Sequence, residues 1–310
     1  MAKIMHPEPF YITFPAHGKI EGSLWTTTGA KALVFLHPGT AVTQRYYEPF
    51  ARYLLELGLN VVTYDYRGTG RSRPANLRGF TVSMSDWMDD DVGAVTRWAS
   101  ARFPALPMLA VGHSLGGHAL ALSEDTNSLR AAVLVASHAG VTATISGVAE
   151  RIKVWIIMRV LAPLLCAVLG YMPGRKLGLG EDLPRDVMLQ WSRWTTLPRY
   201  FFDDPAMDAA RRMSRVQIPL LVLGFNDDPW ANPGAISMLI APLTNAKIER
   251  HQIAPRDANL PVIGHMGFFR KRSAERLWPQ IGSWLLDQLK DVDSQPAGIA
   301  DDLRTKQGAE

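Results

Sequence analysis

Short apolar runs alternate along this chain with segments in which apolar residues recur every three or four positions. The runs have the length of buried strands, and the segments between them have the spacing of amphipathic helices. Strands separated by helices predict parallel crossovers and a sheet covered on both faces. The predicted strands lie at residues 32–36, 60–64, 108–111, 131–136, 218–224 and 247–253.

The remaining pattern predicts how the sheet begins and where it is interrupted. Residues 9–14 and 20–26 alternate between apolar and polar positions, which favours an antiparallel hairpin at one edge. Ser85 is the expected N-cap of one helix, and Asn232 followed by Pro233 that of another. Residues 140–215 show no strand pattern. We therefore expect core segments at 1–139 and 216–292, an all-helical cap insertion at 140–215, and a disordered tail at 293–310.

The composition mainly excludes certain classes of protein and kinds of site. Of the 310 residues, 47% are hydrophobic and 20% charged, which excludes a disordered or collagen-like chain. The net charge of +4 is too small to predict a nucleic-acid partner. Cys166 is the single cysteine, so neither an internal disulfide nor a multi-cysteine metal site can form. We expect a cytoplasmic protein that needs no metal or organic cofactor.

One strongly apolar stretch, residues 154–172, bears on membrane association. Arg159, Pro163 and Gly170 interrupt it, and its charge-free part, 160–174, is shorter than the ~20 residues that a membrane-spanning helix needs. The N-terminus lacks the apolar core of a secretory signal. We expect a buried or interfacial helix and no stable membrane span, with lipid or a second copy in a homodimer as alternative partners of its surface.

The strongest chemical signal is the segment Gly112-His113-Ser114-Leu115-Gly116, which follows one predicted strand and precedes a helix. The pattern G-x-S-x-G in this context is typical of a nucleophile elbow, a sharp turn that exposes the serine hydroxyl. Its glycines are needed because the residues two before and two after the serine approach each other too closely for a Cβ atom. The alternative is a glycine-rich phosphate loop, but no Walker lysine accompanies it.

An attacking serine needs a base, and the base needs an orienting acid, in the chain order Ser, Asp or Glu, His. Asp227 and Asp228 follow the predicted strand 218–224, at the sheet edge where ligands bind. His265 lies in a later loop, as the order demands. A helix-initiating turn for the aspartates and a packed loop histidine are the alternatives.

The same chemistry needs two backbone N–H groups to bind the developing oxyanion. The residue after the nucleophile, Leu115, is expected to provide one of them. The other should come from the loop after the strand 32–36, where Pro38 has no N–H to offer. Thr40 is the first choice and Ala41 the second, and His37 is expected to shape this loop.

Over residues 10–290, the chain resembles the α/β-hydrolase-fold superfamily of serine hydrolases. The resemblance rests on D-x-R-G-x-G-x-S at 65–72, on GHSLGG at 112–117, and on the late aspartate and histidine. The chain is also similar to a bacterial group of predicted α/β hydrolases that shares QRYY at 44–47 and GEDLP at 180–184. The resemblance implies an eight-stranded, mostly parallel sheet and a triad of Ser114, Asp228 and His265. Asp228 is preferred because it directly precedes Pro229, and Asp227 stays the alternative acid because it stands three residues after Gly224.

The insertion would then cover the nucleophile as a cap. Trp191 and Trp194, three residues apart on a predicted helix, would line an acyl pocket with Trp155, or else pack the cap onto the core. His113, beside the nucleophile, is a further pocket candidate. The basic run 270–272 is either a solvated helix face or an attractor of anionic substrates.

These expectations converge on a hydrolase of small-molecule acyl substrates, with carboxylic esters as the first choice. Thioesters, amides and acyl transfer to an alcohol use the same residues and stay open. The third possibility is a binding protein built on a hydrolase fold, since fold alone does not assign function.

Overall fold

The computed structural model describes residues 7–15 and 17–290, so the expectation for the tail at 293–310 lies outside the described residues. The strands are β1 (Glu8–Phe14), β2 (Gly18–Trp25), β3 (Ala32–His37), β4 (Leu59–Asp65), β5 (Met108–His113), β6 (Ala131–Val135), β7 (Tyr171–Met172), β8 (Leu183–Pro184), β9 (Leu220–Phe225) and β10 (Ile248–Ile253).

The helices lie between these strands as the periodicity predicted. They are α1 (Glu48–Glu56), α2 (Val92–Arg102), α3 (Leu115–Leu122), α4 (Val148–Leu169), α5 (Gly174–Leu177), α6 (Arg185–Trp194), α7 (Ala209–Met213), α8 (Pro233–Ile240) and α9 (Ala274–Asp287). The segments Met84–Asp86 and Trp87–Asp91, the latter one π-helical turn, extend α2 at its N-terminus.

Eight strands form one sheet in the order β1-β2-β4-β3-β5-β6-β9-β10. The six strands from β4 to β10 pair in parallel, and β1 and β2 form the expected antiparallel hairpin at the edge. Every residue of β3, β4, β6 and β9 is buried, because helices cover both faces. The carboxyl ends of β3, β5, β6 and β9 therefore meet at one edge.

The two predicted N-caps differ in outcome. Asn232 caps α8, since its side chain accepts a hydrogen bond from the N–H of Ala235. The prediction of Ser85 is wrong: Ser83 caps the preceding helical segment, in a reciprocal pair of hydrogen bonds with Asp86. A capping box needs an acid three residues after the cap, and Asp86 supplies it for Ser83 alone.

The segment between β6 and β9 covers the carboxyl edge of the sheet, but it is not all helical as expected. Strands β7 and β8 pair in an antiparallel two-stranded sheet within it. Each has two residues, which is too short to produce a periodic signal in the sequence.

Helix α4 also corrects the expectation for the apolar stretch. Its 22 residues are continuous, and it is long and apolar enough to cross a membrane by length and composition. Only 17% of its most apolar 18-residue stretch is buried, so the prediction of a buried helix is wrong. One π-helical turn, Ile157–Leu161, ends two residues before Pro163, where a regular helix would lack an N–H donor. Gly170, at φ 80°, ends the helix.

Candidate active site

Ser114 lies at the sharp turn between β5 and α3. Its backbone angles, φ 50° and ψ −110°, lie in a region that residues with side chains rarely adopt. The turn is held because the Ser114 N–H donates to the carbonyl of Val135 on β6, at 2.9 Å. A Cβ atom on Gly116 would lie 2.1 Å from the carbonyl oxygen of His37, and one on Gly112 would lie 2.5 Å from the Gly116 backbone. Close backbone approach is thus the reason for both glycines.

The structure brings Ser114, His265 and Asp228 into one hydrogen-bonded row. The Nε2 of His265 lies 3.1 Å from the Ser114 hydroxyl oxygen, and its Nδ1 lies 2.7 Å from Oδ2 of Asp228. The side chain of His265 is 11% exposed and that of Asp228 is fully buried. An imidazole whose Nδ1–H donates to a carboxylate presents an unprotonated Nε2 to the hydroxyl.

The two neighbouring aspartates have different partners. Oδ1 of Asp228 accepts hydrogen bonds from the N–H groups of Trp230 and Ala231, at 2.9 and 3.0 Å. Oδ2 of Asp227 instead accepts from the N–H of Ile263, at 2.8 Å, and among the described residues Asp227 makes no hydrogen bond with His265. Burial is the largest single influence and would raise the pKa of Asp228, but the hydrogen bond and charge of His265, together with smaller effects of His138 and the Ala231 N–H, hold this pKa below its usual value. Asp228 is thus the carboxylate positioned to orient His265.

The candidate oxyanion donors are backbone N–H groups in the loop after β3 and at the start of α3. Within the described residues, the N–H groups of Thr40, Ala41 and Leu115 donate to no other group, and all three residues line the cavity that contains Ser114. The N–H of Gly39 is engaged by the hydroxyl of Tyr47, at 2.8 Å. Ser114 also precedes the N-terminus of α3, whose dipole favours negative charge at this point.

A cavity of about 570 Å³ lies between the sheet edge and the cap. This volume is typical of small-molecule sites, and most of the lining side chains are apolar. The cap lines it with Val141, Ile145, Val154, Ile157, Met158, Met172, Leu179, Leu183, Met188, Trp191 and Tyr200. Of the basic run, Arg270 lines this cavity, whereas Lys271 and Arg272 do not.

The three candidate tryptophans have different positions in the structure. Trp191 lines the cavity. Trp194 does not, because it is fully buried in the cap and its indole N–H donates to Asp204, at 2.7 Å. Trp155 lies on the outer face of α4, where 51% of it is exposed. The cap thus packs around Trp194 and leaves Trp155 outside.

His113 lines the cavity as expected, yet both of its ring nitrogens are engaged. Nδ1 lies 2.8 Å from the hydroxyl of Tyr47 and Nε2 lies 3.0 Å from the carbonyl oxygen of His265. Burial lowers the pKa of His113 to about 3, so it is neutral at pH 7. His113 therefore supports the loop that carries His265. His37 supports the neighbouring strands, since its Nδ1 lies 2.7 Å from the hydroxyl of Tyr64.

Sequence reasoning missed two residues beside His265. The ring of His138 lies 5.4 Å from that of His265, edge-on, and the ring of Trp230 lies 5.0 Å from it. Both residues line the cavity. Chain order argued against His138, but its position just after β6, next to the nucleophile strand in the sheet, was an available signal. Within the described part of the chain, no group of three His, Cys, Asp or Glu side chains could hold a metal ion.

Comparisons with known proteins find similarity in sequence and in fold. Human monoglyceride lipase is 34% identical over 96 residues, and this match spans 30% of either chain. A soluble variant of monoglyceride lipase from Saccharomyces cerevisiae superposes with a TM-score of 0.67 at 16% identity, over 92% of this chain and 97% of that one. An esterase from Pyrococcus furiosus gives 0.62 at 15% identity, over 91% of each chain. These structures share the α/β-hydrolase fold with this chain.

The family assignment rests on a longer match. The family model described as serine aminopeptidase S33 covers residues 28–254, which begin before β3 and extend through β10. That range contains Ser114, the turn at Asp227 and Asp228, and the segment between β6 and β9. The chain therefore belongs to this family of α/β hydrolases.

Proposed function

We propose that this protein is a serine hydrolase that cleaves carboxylic esters through an acyl-enzyme intermediate. The observation that carries the proposal is the hydrogen-bonded row from Asp228 through His265 to the Ser114 hydroxyl, at the base of a largely apolar cavity. A packed core would not require these three side chains in this order. A serine, a base and an orienting acid within hydrogen-bond reach are the requirements of nucleophilic acyl transfer.

In the first step, the Ser114 oxygen attacks the ester carbonyl while Nε2 of His265 takes the hydroxyl proton. The resulting oxyanion receives hydrogen bonds from the N–H groups of Leu115 and Thr40, or of Ala41 in place of Thr40. Asp228 stabilises the imidazolium. Collapse of the tetrahedral intermediate breaks the bond to the alcohol oxygen, which takes the proton from His265. Water then repeats the sequence on the acyl-enzyme and releases the acid.

The cavity favours an ester over the peptide that the family description names. An aminopeptidase must hold a free α-ammonium group, which calls for an unpaired carboxylate. The cavity is lined by Glu150 and Glu181, and both are already paired, with Lys153 at 3.2 Å and Arg175 at 3.0 Å. The apolar lining instead suits an acyl chain. The similar proteins named above are lipases and an esterase by name, which also favours an ester as substrate.

The outer face of α4 adds a proposal about where the substrate comes from. Its exposed apolar residues recur at helical spacing on one side, and they are Val148, Ile152, Trp155, Ile156, Val160, Leu164 and Val168. Exposed cations, Arg151, Lys153 and Arg159, lie on the same helix. We propose that this face rests on an anionic lipid surface, as amphipathic helices with such a composition do. Val154, Ile157 and Met158 of α4 line the cavity, so the helix would connect lipid with the site.

The lipid contact is tested by sedimentation with vesicles of phosphatidylglycerol or phosphatidylcholine. We expect binding to the anionic vesicles and its loss in the double variant Val160→Asp, Leu164→Asp. Gel filtration of both proteins is the control. If the wild type stays in the supernatant and elutes as a dimer that the double variant breaks, the face is a subunit interface instead.

The hydrolase proposal is tested by intact-mass analysis after treatment with a fluorophosphonate, and by hydrolysis of p-nitrophenyl esters of increasing chain length. We expect one adduct, which Ser114→Ala and His265→Ala both abolish, and turnover that is abolished with it. A folded wild type that forms no adduct and cleaves no ester would favour a binding protein.

A further inference from the structure

Four histidines surround the nucleophile, and their ring nitrogens are not equally occupied. Both nitrogens of His265 and both of His113 have partners. Nε2 of His118 lies 2.7 Å from the carbonyl oxygen of His138, while its Nδ1 is sealed from solvent without a partner. His138 differs from them. Its Nδ1 lies 3.2 Å from the carbonyl oxygen of Ala136, and its Nε2 has no partner among the described residues and is not sealed.

The tautomer of His138 follows from these contacts. A carbonyl oxygen only accepts, so Nδ1 must carry the proton and donate it to Ala136. Nε2 is then an unprotonated acceptor. Burial lowers the pKa of His138 to about 4, so the ring stays neutral at pH 7. The cavity therefore contains an open, neutral acceptor nitrogen beside the ring of His265.

The backbone holds this ring in place. His138 follows β6, whose last residue, Val135, accepts the hydrogen bond from the Ser114 N–H. The carbonyl of His138 is held by His118, and the next N–H, of Ala139, donates to Ala235 at the start of α8, at 3.0 Å. In the strand order, β6 lies on the side of β5 away from β3, which carries the oxyanion loop. A substrate whose carbonyl oxygen faces Thr40 thus has room on the other side for a group that faces His138.

We propose that Nε2 of His138 accepts a hydrogen bond from a hydroxyl group in the alcohol part of the ester, so that the enzyme prefers esters of diols and polyols. This inference rests on the proposed function. His265 must reach the alcohol oxygen to protonate it as it leaves, and the His138 ring lies 5.4 Å from the His265 ring. With the alcohol oxygen at His265, a hydroxyl on the adjacent carbon of the alcohol would be the group that meets Nε2 of His138. A buried acceptor left unpaired by an alkyl ester penalises that substrate.

Two esters of matched size test the proposal: 2-hydroxyethyl butyrate and propyl butyrate, which differ only by a hydroxyl in place of a methyl group. The readout is kcat/KM for butyrate release. We expect the wild type to favour the hydroxyethyl ester by roughly five- to thirtyfold, the range for one hydrogen bond. His138→Asn keeps an N–H near the position of Nδ1 and removes Nε2, so the ratio should fall to about one by loss of the hydroxyethyl rate. His138→Gln places an acceptor near Nε2 and should restore part of the preference.

The fluorophosphonate labelling rate of Ser114 separates specificity from catalysis. It should be the same in the wild type and His138→Asn, because the row from Asp228 to Ser114 is untouched. A wild-type ratio near one overturns the inference without any variant, and so does an unchanged ratio in His138→Asn. Loss of labelling together with equal loss of both rates would make His138 a support of His265 instead. Absence of labelling and of hydrolysis in the wild type would refute the proposed function itself.

Discussion

Replacing Asp228 with Asn changes one atom of the row and has a consequence that the hydrogen bonds determine. Oδ1 of Asp228 accepts from two backbone N–H groups, of Trp230 and Ala231, so an amide nitrogen cannot occupy that position without opposing two donors. The amide nitrogen of Asn must therefore face His265. It would donate to Nδ1, and the imidazole proton would move to Nε2, which faces Ser114.

The expected magnitude follows from that tautomer. A His265 that carries its proton on Nε2 cannot take the proton of Ser114, so the base is lost while the geometry is kept. In serine proteases the same exchange lowers kcat by about ten-thousand-fold. At 1.36 kcal/mol per factor of ten, this is about 5.4 kcal/mol of transition-state stabilisation. Folding should be little affected, since the amide keeps all three contacts.

The assay is hydrolysis of p-nitrophenyl butyrate near neutral pH, with Asp227→Asn as the matched control. Asp227 accepts from Ile263 alone, and an Asn side chain can accept the same bond, so we expect less than about a tenfold loss. Equal losses in the two variants, or an Asp228→Asn protein that keeps a tenth of the wild-type rate, would refute this assignment of the acid.

Two further predictions concern stability. Gly116→Ala should lower the free energy of unfolding by about 3 kcal/mol or more, since its Cβ would lie 2.1 Å from the His37 carbonyl oxygen. Thermal unfolding checks this, with Gly234→Ala as the neutral control, because a Cβ there would make only an ordinary van der Waals contact, 3.5 Å from Oδ1 of Asn232. Burial would raise the pKa of Asp182, but the hydrogen bonds and charges of Arg73 and Arg175 together outweigh burial and lower this pKa, so the folded value lies below the unfolded one. Its stabilising contribution is then present above about pH 3.9 and is lost as pH falls through the lower folded pKa. Urea unfolding should show a higher free energy of unfolding for the wild type than for Asp182→Asn at about pH 6, and this difference should shrink toward about pH 3. A difference that stays constant with pH would contradict this.

Local signals explain which parts of the fold could be predicted. The elbow was predictable because its glycines, strand and helix are contiguous, and residues 112–116 form it. The parallel sheet was predictable because buried strands read as apolar runs. The late acid and base followed from chain order, which placed His265 without any knowledge of its partners.

The features of the fold and of the site that could not be predicted depend on contacts and backbone geometry that the sequence pattern does not show. The choice between Asp227 and Asp228 is decided by a turn in which the Asp228 N–H donates to Phe225, which aims one carboxylate at His265 and the other at Ile263. Trp194 has the helical spacing of a pocket residue, but its indole N–H donates to Asp204 inside the cap. The continuity of α4 through Pro163 required a π-helical turn, which sequence rules do not anticipate.

The central claim is that Ser114 carries the acyl group between two chemical steps, and trapping that intermediate tests it most directly. The wild-type protein is mixed with p-nitrophenyl butyrate, quenched in acid within the first turnovers, and weighed by intact-mass spectrometry. We predict a butyryl adduct that peptide mapping places on Ser114 and that Ser114→Ala lacks. Turnover without any adduct, or an adduct that persists in Ser114→Ala, would contradict the account.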